Sequence, residues 1–362
     1  KLGLTESARI LFSYLKAKVS PYPQEDTFDQ WVTNRFGQRL YEMFFQAYTE
    51  KVWGMPCSEI QADWAAQRIA GLSLRTIVAN TLFRAKEARS LIHEFHYPIL
   101  GPGMMWQRFS ELVESQGGKV CVGNRVISIE REMDRITGMV VMQGGDKTKI
   151  QAENYISSMP LTELIAAINP LPPSEVVQAA RRLRYRDLLV VALIAERARQ
   201  FPDQWIYIQS ADVQVGRIQI FGNWSAAMVP SGQMTSLGRE YFCNEGDEFW
   251  QMPDEEIIAL ARHELVALGL AKASDIKDGL VVRQSKAYPV YDEAYRANLA
   301  TIRRFLETLD NLQSIGRNGM HRYNNMDHSM LTGMLAVRNL QGERHDLWAV
   351  NIEQVYHEGP DH

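Results

Sequence analysis

The chain has 362 residues, of which 46% are hydrophobic and 23% are charged, and its formal net charge is −4. This balance is typical of a folded globular protein, and it excludes a disordered or fibrous chain. No dense tract of Lys and Arg is present, so we expect a small-molecule partner and no nucleic acid. The length favours two structural domains.

The cysteines Cys57, Cys121 and Cys243 are widely separated and lack the paired spacing of a disulfide framework or a zinc site. We therefore expect a reducing, cytoplasmic location and no bound metal. No apolar run reaches the roughly 18 residues of a membrane-spanning helix. The first 20 residues predict an amphipathic helix and lack the apolar core of a signal peptide.

The first 97 residues predict a helical block. Thr27 and Gln30 form a capping-box pattern at the start of one helix. Aromatic and aliphatic side chains then recur at helical spacing from position 41 to position 52. The region from position 63 to position 95 continues in a mostly helical pattern.

The stretch YTEKVWG, residues 48 to 54, ends the second of these helices. Tyr48 and Val52 continue the apolar face, and Gly54 is placed to cap the helix end. This pattern favours a packed helix end over a functional site. Lys51 and Trp53 are the members that could also line a substrate pocket.

Residues 98 to 160 predict one helix, over about 104 to 116, followed by a small antiparallel sheet. The strands are expected in KVCVGN, RVISIERE, RITGMVVMQ and KTKIQAENYISSMP. Gly144, Gly145 and Asp146 predict a tight turn between the last two.

Residues 161 to 290 predict a mixture of helices and strands. A helix over about 174 to 184 is followed by the strand DLLVVALIAE and by the strand-like runs QWIYIQ and RIQIFGNW. The segment PDEEIIALARHELVALGL predicts an amphipathic helix, because its acidic first turn complements the helix dipole.

The segment LQSIGRNGMHRYNNMDHSMLTGMLAVRNL, residues 312 to 340, carries the strongest functional signal. It predicts a strand, a tight turn at Gly316 and a helix that begins near Asp327, which could cap it. A helix N-terminus beside a strand end suits the negative charge of a phosphate or of a reduced flavin ring. Arg317 offers a planar fork of donors that matches phosphate oxygens.

This segment resembles the C-terminal flavin-binding motif of the FAD-dependent amine oxidase superfamily, especially its protoporphyrinogen oxidase-like and UDP-galactopyranose mutase-like branches. The stretches FFQAYTEKVWG, NRVISIE with YISSMP, and KAYPVYDEAY resemble the family in the same order, over residues 27 to 342. The resemblance implies a mixed α/β flavoenzyme. In it, a partial Rossmann-like FAD domain is interleaved with a substrate domain of helices and an antiparallel sheet.

The resemblance divides the chain into four segments. Residues 1–97 form the helical part of the substrate domain, and residues 98–160 supply a helix and a β-meander to the FAD domain. Residues 161–290 complete the substrate domain, and residues 291–362 form the C-terminal part of the FAD domain.

The resemblance also implies the residues that bind FAD. Gly316 and Arg317 are expected beside the pyrophosphate, and Val126 is expected to meet the adenine through its backbone. Three residues at the helix start are expected at the pyrimidine edge of the flavin ring: Asn325, Met326 and Asp327.

Candidate substrate-binding residues lie just before the flavin motif. Tyr288 and Tyr291, with Arg283 upstream, could bound a substrate cavity, although packing at a strand edge is the favoured explanation for them. Two histidines, His321 and His328, lie within the motif, where hydrogen bonding alone accounts for them. We assign no catalytic base.

The chain departs from the family at one place. The family begins with a strand and a GxGxxG turn that receives the ADP half of FAD, and this sequence has no such turn. We expect an upstream segment of about a hundred residues to supply it. Without that segment we expect the ADP half of the FAD site to be missing.

The sequence leaves three functions open. The first is an oxidoreductase that passes a hydride from a small organic substrate to flavin N5. The second is an isomerase similar to UDP-galactopyranose mutase, which uses reduced FAD and a nucleotide sugar, with Arg283 on the diphosphate. The third is a non-catalytic remnant. Substrate-dependent bleaching of the flavin distinguishes the oxidoreductase from the isomerase, because the isomerase requires prior reduction of the flavin.

Overall fold

The computed structural model describes residues 3–69, 96–196, 201–229 and 234–351. The helices in these ranges are α1 (Leu4–Val19), α2 (Phe28–Phe36), α3 (Gln38–Leu40), α4 (Ala47–Trp53), α5 (Ala62–Ile69), α6 (Pro102–Ser115), α7 (Leu161–Ala167), α8 (Ser174–Arg182), α9 (Phe221–Trp224), α10 (Glu248–Gln251), α11 (Asp254–Ala267), α12 (Tyr295–Leu306), α13 (Gly316–Gly319) and α14 (Met326–Leu340). The part of the predicted helical block from position 70 to position 95 lies outside the described residues.

The strands of the described ranges are β1 (Arg125–Glu132), β2 (Arg135–Gln143), β3 (Asp146–Ile150), β4 (Tyr155–Ser157), β5 (Ile168–Asn169), β6 (Tyr185–Glu196), β7 (Trp205–Tyr207), β8 (Arg217–Ile220), β9 (Met234–Cys243), β10 (Ile276–Pro289) and β11 (Leu312–Ser314). They form a sheet of order β3-β2-β1-β5, a sheet of order β10-β6-β9-β8-β7 and the pair β11-β4. Within the described ranges, no helix is long and apolar enough to cross a membrane.

The chain divides into two compact units. Unit 1 contains the described residues up to Gly118 together with Arg186–Ala287, and unit 2 contains Lys119–Tyr185 together with the described residues from Tyr288 onward. The chain passes between the units after residues 118, 185 and 287. The four predicted segments, with boundaries at 97, 160 and 290, stay a prediction.

The N-terminal helices of unit 1 begin and end where the capping signals predict. The side chain of Gln30 accepts a hydrogen bond from the Thr27 N–H at 3.3 Å, and α2 begins at the next residue. The apolar run from position 41 forms one π-helical turn, Tyr41–Gln46, and then α4. Gly54 ends α4 in the left-handed region with φ +63°.

An antiparallel sheet forms the centre of unit 1. Its strands β6 and β9 pair over ten residues, from Asp187 opposite Cys243 to Glu196 opposite Met234. One face of this sheet packs on α11 and forms the core, whose members include Leu189, Val191, Leu193, Ile218, Leu237, Ile257, Ala261 and Leu265. The sequence did not predict β9 or the full length of β10.

The strand predicted over RIQIFGNW is shorter than expected. Strand β8 ends at Ile220, and the residues from Phe221 to Trp224 form the helical turn α9. Phe221 turns its ring over β9, where a side chain on Gly238 would meet it at 2.5 Å. The ring therefore occupies a space that only glycine leaves open, and the chain leaves the sheet at this residue.

Unit 2 contains the predicted β-meander, with two corrections. The turn at Gly144 and Gly145 joins β2 to β3 as predicted. The run KVCVGN is not a strand, because all but one of its residues are exposed and no strand of the described ranges pairs with it. The run KTKIQAENYISSMP forms two strands: β3 stays in the meander, and β4 leaves it to pair in parallel with β11.

Buried Asn311 joins the two sheets of unit 2. Its side chain accepts from the Ile136 N–H at 2.8 Å and donates to the carbonyls of Ile136 and Glu153, each at 2.9 Å. In the same unit, α7, α8 and α12 bury one apolar core, with members that include Leu161, Leu164, Ile165, Val176, Ile302, Phe305 and Leu312. This core fixes the strand from which the functional segment begins.

Candidate functional site

The functional segment is a strand, a turn and a helix in unit 2. Strand β11 pairs with β4, and the Ile315 N–H continues the ladder to the Ser157 carbonyl at 2.9 Å. Gly316 then turns the chain with φ +78°, and its N–H donates to the hydroxyl of Thr332 in α14 at 3.0 Å. The turn therefore joins the strand end to the helix that follows.

The turn lies directly against the end of β4. A Cβ atom at Gly319 would meet the Ser157 carbonyl oxygen at 2.9 Å and the Ser314 hydroxyl at 3.1 Å. The Ser314 hydroxyl itself donates to the Gly319 carbonyl. Only a glycine at this position lets the backbone approach so closely.

Asn325, and not Asp327, is the N-cap of α14. The helix begins at Met326, and the Asn325 N–H donates to Nδ1 of His328 at 3.3 Å. Since that nitrogen accepts a hydrogen bond, it has no proton to give to the Asp327 carboxylate 3.3 Å away, and we do not regard this contact as an ion pair. The prediction that Asp327 caps the helix was therefore wrong.

The first turn of α14 is suited to an anion. The N–H groups of Met326 and Asp327 have no acceptor within the helix, as in the first turn of every α-helix. The positive end of the helix dipole lies at the same place. The Asp327 side chain is 60% exposed, so it leaves this end of the helix accessible.

Arg317 lies beside this helix start and next to two aromatic rings. Its Nε donates to the Asn324 carbonyl at 2.8 Å. The guanidinium carbon is 4.7 Å from the ring centre of Tyr323 and 5.5 Å from that of Tyr288. The two rings stack on each other with centres 5.6 Å apart. Cation–π contacts and the hydrogen bond thus hold the guanidinium in one place.

Tyr291 contacts the segment that carries Tyr323. Its hydroxyl accepts from the Tyr323 N–H at 2.8 Å, and its ring stacks on Tyr295 with centres 4.4 Å apart. Tyr291 is only 4% exposed. The sequence assigned the two tyrosines to the substrate and Arg317 to the cofactor. The structure brings all three together.

Arg283 belongs to unit 1 and is already engaged there. Its three nitrogens donate to the Trp250 carbonyl at 3.0 Å, the Asp254 carboxylate at 2.5 Å and the Met252 carbonyl at 2.8 Å. These bonds secure the chain at the start of α11. A diphosphate contact by Arg283 stays a prediction, and it would compete with these bonds.

Val126 lies in the second position of β1, where it packs partly buried on the core of unit 2. The pairing of β1 with β2 slips between Val126 and Ser128, so the strand is irregular at this point. Its predicted contact with the adenine stays a prediction.

Buried His321 and partly buried Tyr185 contact each other beside the turn. His321 is fully buried with φ +44°, and its Nε2 lies 3.3 Å from the Val290 carbonyl. Burial lowers the pKa of His321 to about 4. The Tyr185 ring meets it edge-on at 4.8 Å, its hydroxyl donates to the Asn318 carbonyl at 3.3 Å, and burial raises its pKa. Nothing in the sequence singled out Tyr185.

Several buried polar atoms around the turn have no partner among the described residues: Ser157 Oγ, Asn318 Oδ1 and His321 Nδ1. Buried polar atoms are rarely left unpaired, so such a cluster indicates a polar ligand or water. The same turn offers helix N–H groups, a closely approaching backbone and a fixed guanidinium. These features fit a phosphate-bearing cofactor with a polar ring edge.

A parallel strand pair that leads through a glycine turn into a helix, with an anchored arginine beside the helix start, is an arrangement suited to the phosphates of a nucleotide cofactor. The chain belongs to the flavin containing amine oxidoreductase family, whose model matches residues 19–340. Its cofactor is FAD. Members of this superfamily are FAD-dependent oxidoreductases.

Solved structures with the same fold include members of several branches. Reduced UDP-galactopyranose mutase matches 98% of this chain and 76% of its own, with TM-score 0.81 and 19% identity. A candidate protoporphyrinogen oxidase from Exiguobacterium sp. 255-15 matches 94% and 73%, with TM-score 0.66 and 13% identity. Putrescine oxidase bound to putrescine matches 94% and 77%, with TM-score 0.58 and 13% identity. The predicted mixed α/β flavoenzyme fold is confirmed.

Proposed function

We propose that the turn from Gly316 to Asp327 holds FAD. Arg317 is directed to its pyrophosphate, and the helix start at residues 325–327 meets the polar edge of the flavin ring. The observation that carries this proposal is the fixed position of Arg317, which lies between the Asn324 carbonyl and two tyrosine rings. A cation that is already ordered loses little further freedom when an anion binds.

Within this site we assign the oxidation of a small organic substrate. When bound, FAD supplies the acceptor for a hydride. The first turn of α14 stabilises negative charge through its N–H groups and its dipole. Tyr288 and Tyr323 provide an aromatic wall that orients the substrate and excludes water. Val126 is assigned to the adenine through its backbone.

His321 does not act as a cation in this site. Burial keeps its pKa at about 4, so the ring is neutral at physiological pH. Its role is to hold the turn, because Nε2 reaches the Val290 carbonyl. We assign no general base to the reaction.

Anaerobic reduction of the bound flavin by a panel of primary amines tests this function. We expect one class of amine to bleach the visible absorbance of the full-length protein without an added reductant. Tyr288→Ala should lower kcat/KM by at least about tenfold, because the substrate loses an aromatic wall. Tyr22→Ala, at an exposed tyrosine of unit 1, serves as the control. Absence of bleaching by every amine would contradict an amine oxidase.

The second candidate is isomerisation of a nucleotide sugar. The structural match to reduced UDP-galactopyranose mutase, with TM-score 0.81 over 98% of this chain, favours it. This function predicts that a UDP-hexose binds, and that product forms only after the flavin has been reduced. It also requires a cation for the diphosphate, and Arg283 would have to release its bonds to Trp250 and Met252 to serve.

Chromatography of a UDP-hexose incubated with dithionite-reduced and with oxidised protein separates the two functions. Conversion by the reduced protein alone establishes the mutase and overturns the oxidase. A protein from the complete reading frame that binds no FAD would leave only the third alternative, a non-catalytic remnant.

A further inference from the structure

Lys51, from the stretch YTEKVWG, ends in a cage of backbone carbonyls within unit 1. Its Nζ lies 2.8 Å from the Ser210 oxygen, 2.9 Å from that of Val213, 3.1 Å from that of Val215 and 3.3 Å from that of Ile208. An ammonium group has three N–H donors, so four carbonyls exceed its directional capacity. Such a ring of carbonyls is the arrangement with which proteins surround a spherical cation.

The same loop is held on its other side by a carboxylate. Glu264 accepts from the N–H groups of Gln214 at 2.5 Å and of Val215 at 3.3 Å, and from the Tyr241 hydroxyl at 2.9 Å. The peptide unit between Val213 and Gln214 therefore gives its oxygen to Lys51 and its N–H to Glu264. One peptide dipole lies between the two opposite charges, in the orientation that both favour.

The Glu264 side chain is buried and Lys51 is partly buried. Glu264 is 3% exposed, and burial lowers the pKa of Lys51, while the nearby Glu264 carboxylate opposes that change. The carbonyl oxygens replace the water that the ammonium loses. Since its donors are occupied in this way, Lys51 is committed to the loop and is not available to line a substrate pocket.

We propose that the loop from Ile208 to Val215 is a monovalent-cation site that the Lys51 ammonium fills, and that removal of this ammonium lets NH4⁺ or K⁺ take its place. The ligands are neutral carbonyls without a carboxylate among them, which suits a single positive charge. A divalent ion such as Ca²⁺ takes about six to eight oxygen ligands, with carboxylates among them. The cation gives the loop its shape, because it orients the four peptide units towards one centre.

Lys51→Met tests the proposal, since methionine keeps the length of the side chain and removes its charge. Melting temperatures are compared in NH4Cl, KCl and choline chloride at equal ionic strength. In choline chloride we expect a loss of about 5 °C or more, because four carbonyls and Glu264 lose their cation. NH4⁺ and K⁺ should restore at least half of that loss. Lys16→Met, at an exposed lysine of α1, should show no cation-specific effect.

Equal losses in all three salts would overturn the proposal, and so would a variant as stable as the parent protein in choline chloride. Should Lys51→Met fail to fold, amine acetylation of the parent protein gives an independent answer by mass spectrometry. Lys51 should react at least about tenfold more slowly than Lys16, because its amine is held by four carbonyls. Equal rates of reaction would show that the cage is open, and would overturn the proposal as well.

Discussion

Burial sets the chemistry of single residues in this protein more than charge pairing does. His321 shows this most clearly, since its ring lies in the interior with one hydrogen bond to a carbonyl. Its pKa falls from an ordinary value of 6.5 to about 4 because the charged form loses its hydration. The neutral ring is therefore part of the native fold.

This burial makes stability depend on pH in one direction. Above about pH 6.5 the ring is neutral in both the folded and the unfolded state, and it imposes no penalty. As the pH falls from about 6.5 to about 4, the unfolded state binds a proton that the folded state refuses, and about 3 kcal/mol of folding free energy is lost. Denaturant titrations at several pH values measure this loss.

His321→Asn should reduce this pH dependence, because asparagine does not titrate and tolerates the positive φ of this position. The exposed His96 provides the matched control, His96→Asn, whose pH profile should follow that of the parent protein. If the parent protein and His321→Asn lost stability in parallel between pH 6.5 and pH 4, the buried ring would not be the cause.

The three cysteines should differ in their reactivity. Burial raises the pKa of Cys57 and of Cys243 to about 12, whereas Cys121 is exposed. Iodoacetamide at about pH 8 should therefore label Cys121 alone, since thiolates are the reactive form. Mass spectrometry reads the labelled site, and Cys121→Ser should remain unlabelled. Labelling of Cys57 at the rate of Cys121 would contradict the buried position.

At the scale of elements, the end of α4 is a junction of several contacts in unit 1. The Val52 carbonyl accepts from Arg186, Trp53 packs edge-on against Trp64 with ring centres 5.2 Å apart, and Lys51 holds the loop described above. Gly54 ends the helix in the left-handed region. The stretch YTEKVWG is thus a packed helix end with a structural role, as its apolar face indicated.

Gly54→Ala should destabilise the protein by about 2 to 4 kcal/mol. An alanine Cβ would strain the φ of +63° and would lie 2.7 Å from the guanidinium of Arg186. That group cannot withdraw easily, because it donates to the carbonyls of Val52 and Phe242 at 2.9 Å each. Thermal and denaturant unfolding measure the change.

Gly103→Ala is the matched control for this substitution. Gly103 lies in the first turn of α6, and no atom lies within 4 Å of a Cβ added there. Alanine at this position should be neutral or slightly stabilising, because it restricts the unfolded chain. A Gly54→Ala variant as stable as Gly103→Ala would contradict the requirement for glycine at the end of α4.

At the scale of the whole molecule, the sequence predicted the features that depend on neighbouring residues, such as helix caps and tight turns. The capping box at Thr27, the cap at Gly54 and the turn at Gly144 depend on a few neighbouring residues, and all three are confirmed. Long-range pairing was harder to predict. The departure of β4 from the meander depends on β11, which lies more than 150 residues further along the chain.

In the candidate site, too, the local elements were predicted from the sequence and the long-range contacts were not. The strand, the turn and the helix of residues 312 to 340 follow from local pattern, but the N-cap was assigned two residues too late. The pairing of Arg317 with Tyr288 and Tyr323 joins separate parts of the chain, and no spacing rule contains it. Arg283 was predicted from its charge, its place upstream of the two tyrosines and the family resemblance, and its three bonds could be seen only in the fold.

The central claim is that the turn from Gly316 to Asp327 holds FAD, and a titration of FAD into the full-length protein tests it most directly. Arg317→Met should weaken FAD binding by at least about tenfold, because a phosphate loses its charged donor. Arg304→Met, at an exposed arginine of the same unit, should bind FAD as the parent protein does. Equal FAD affinity for Arg317→Met and the parent protein would contradict the claim.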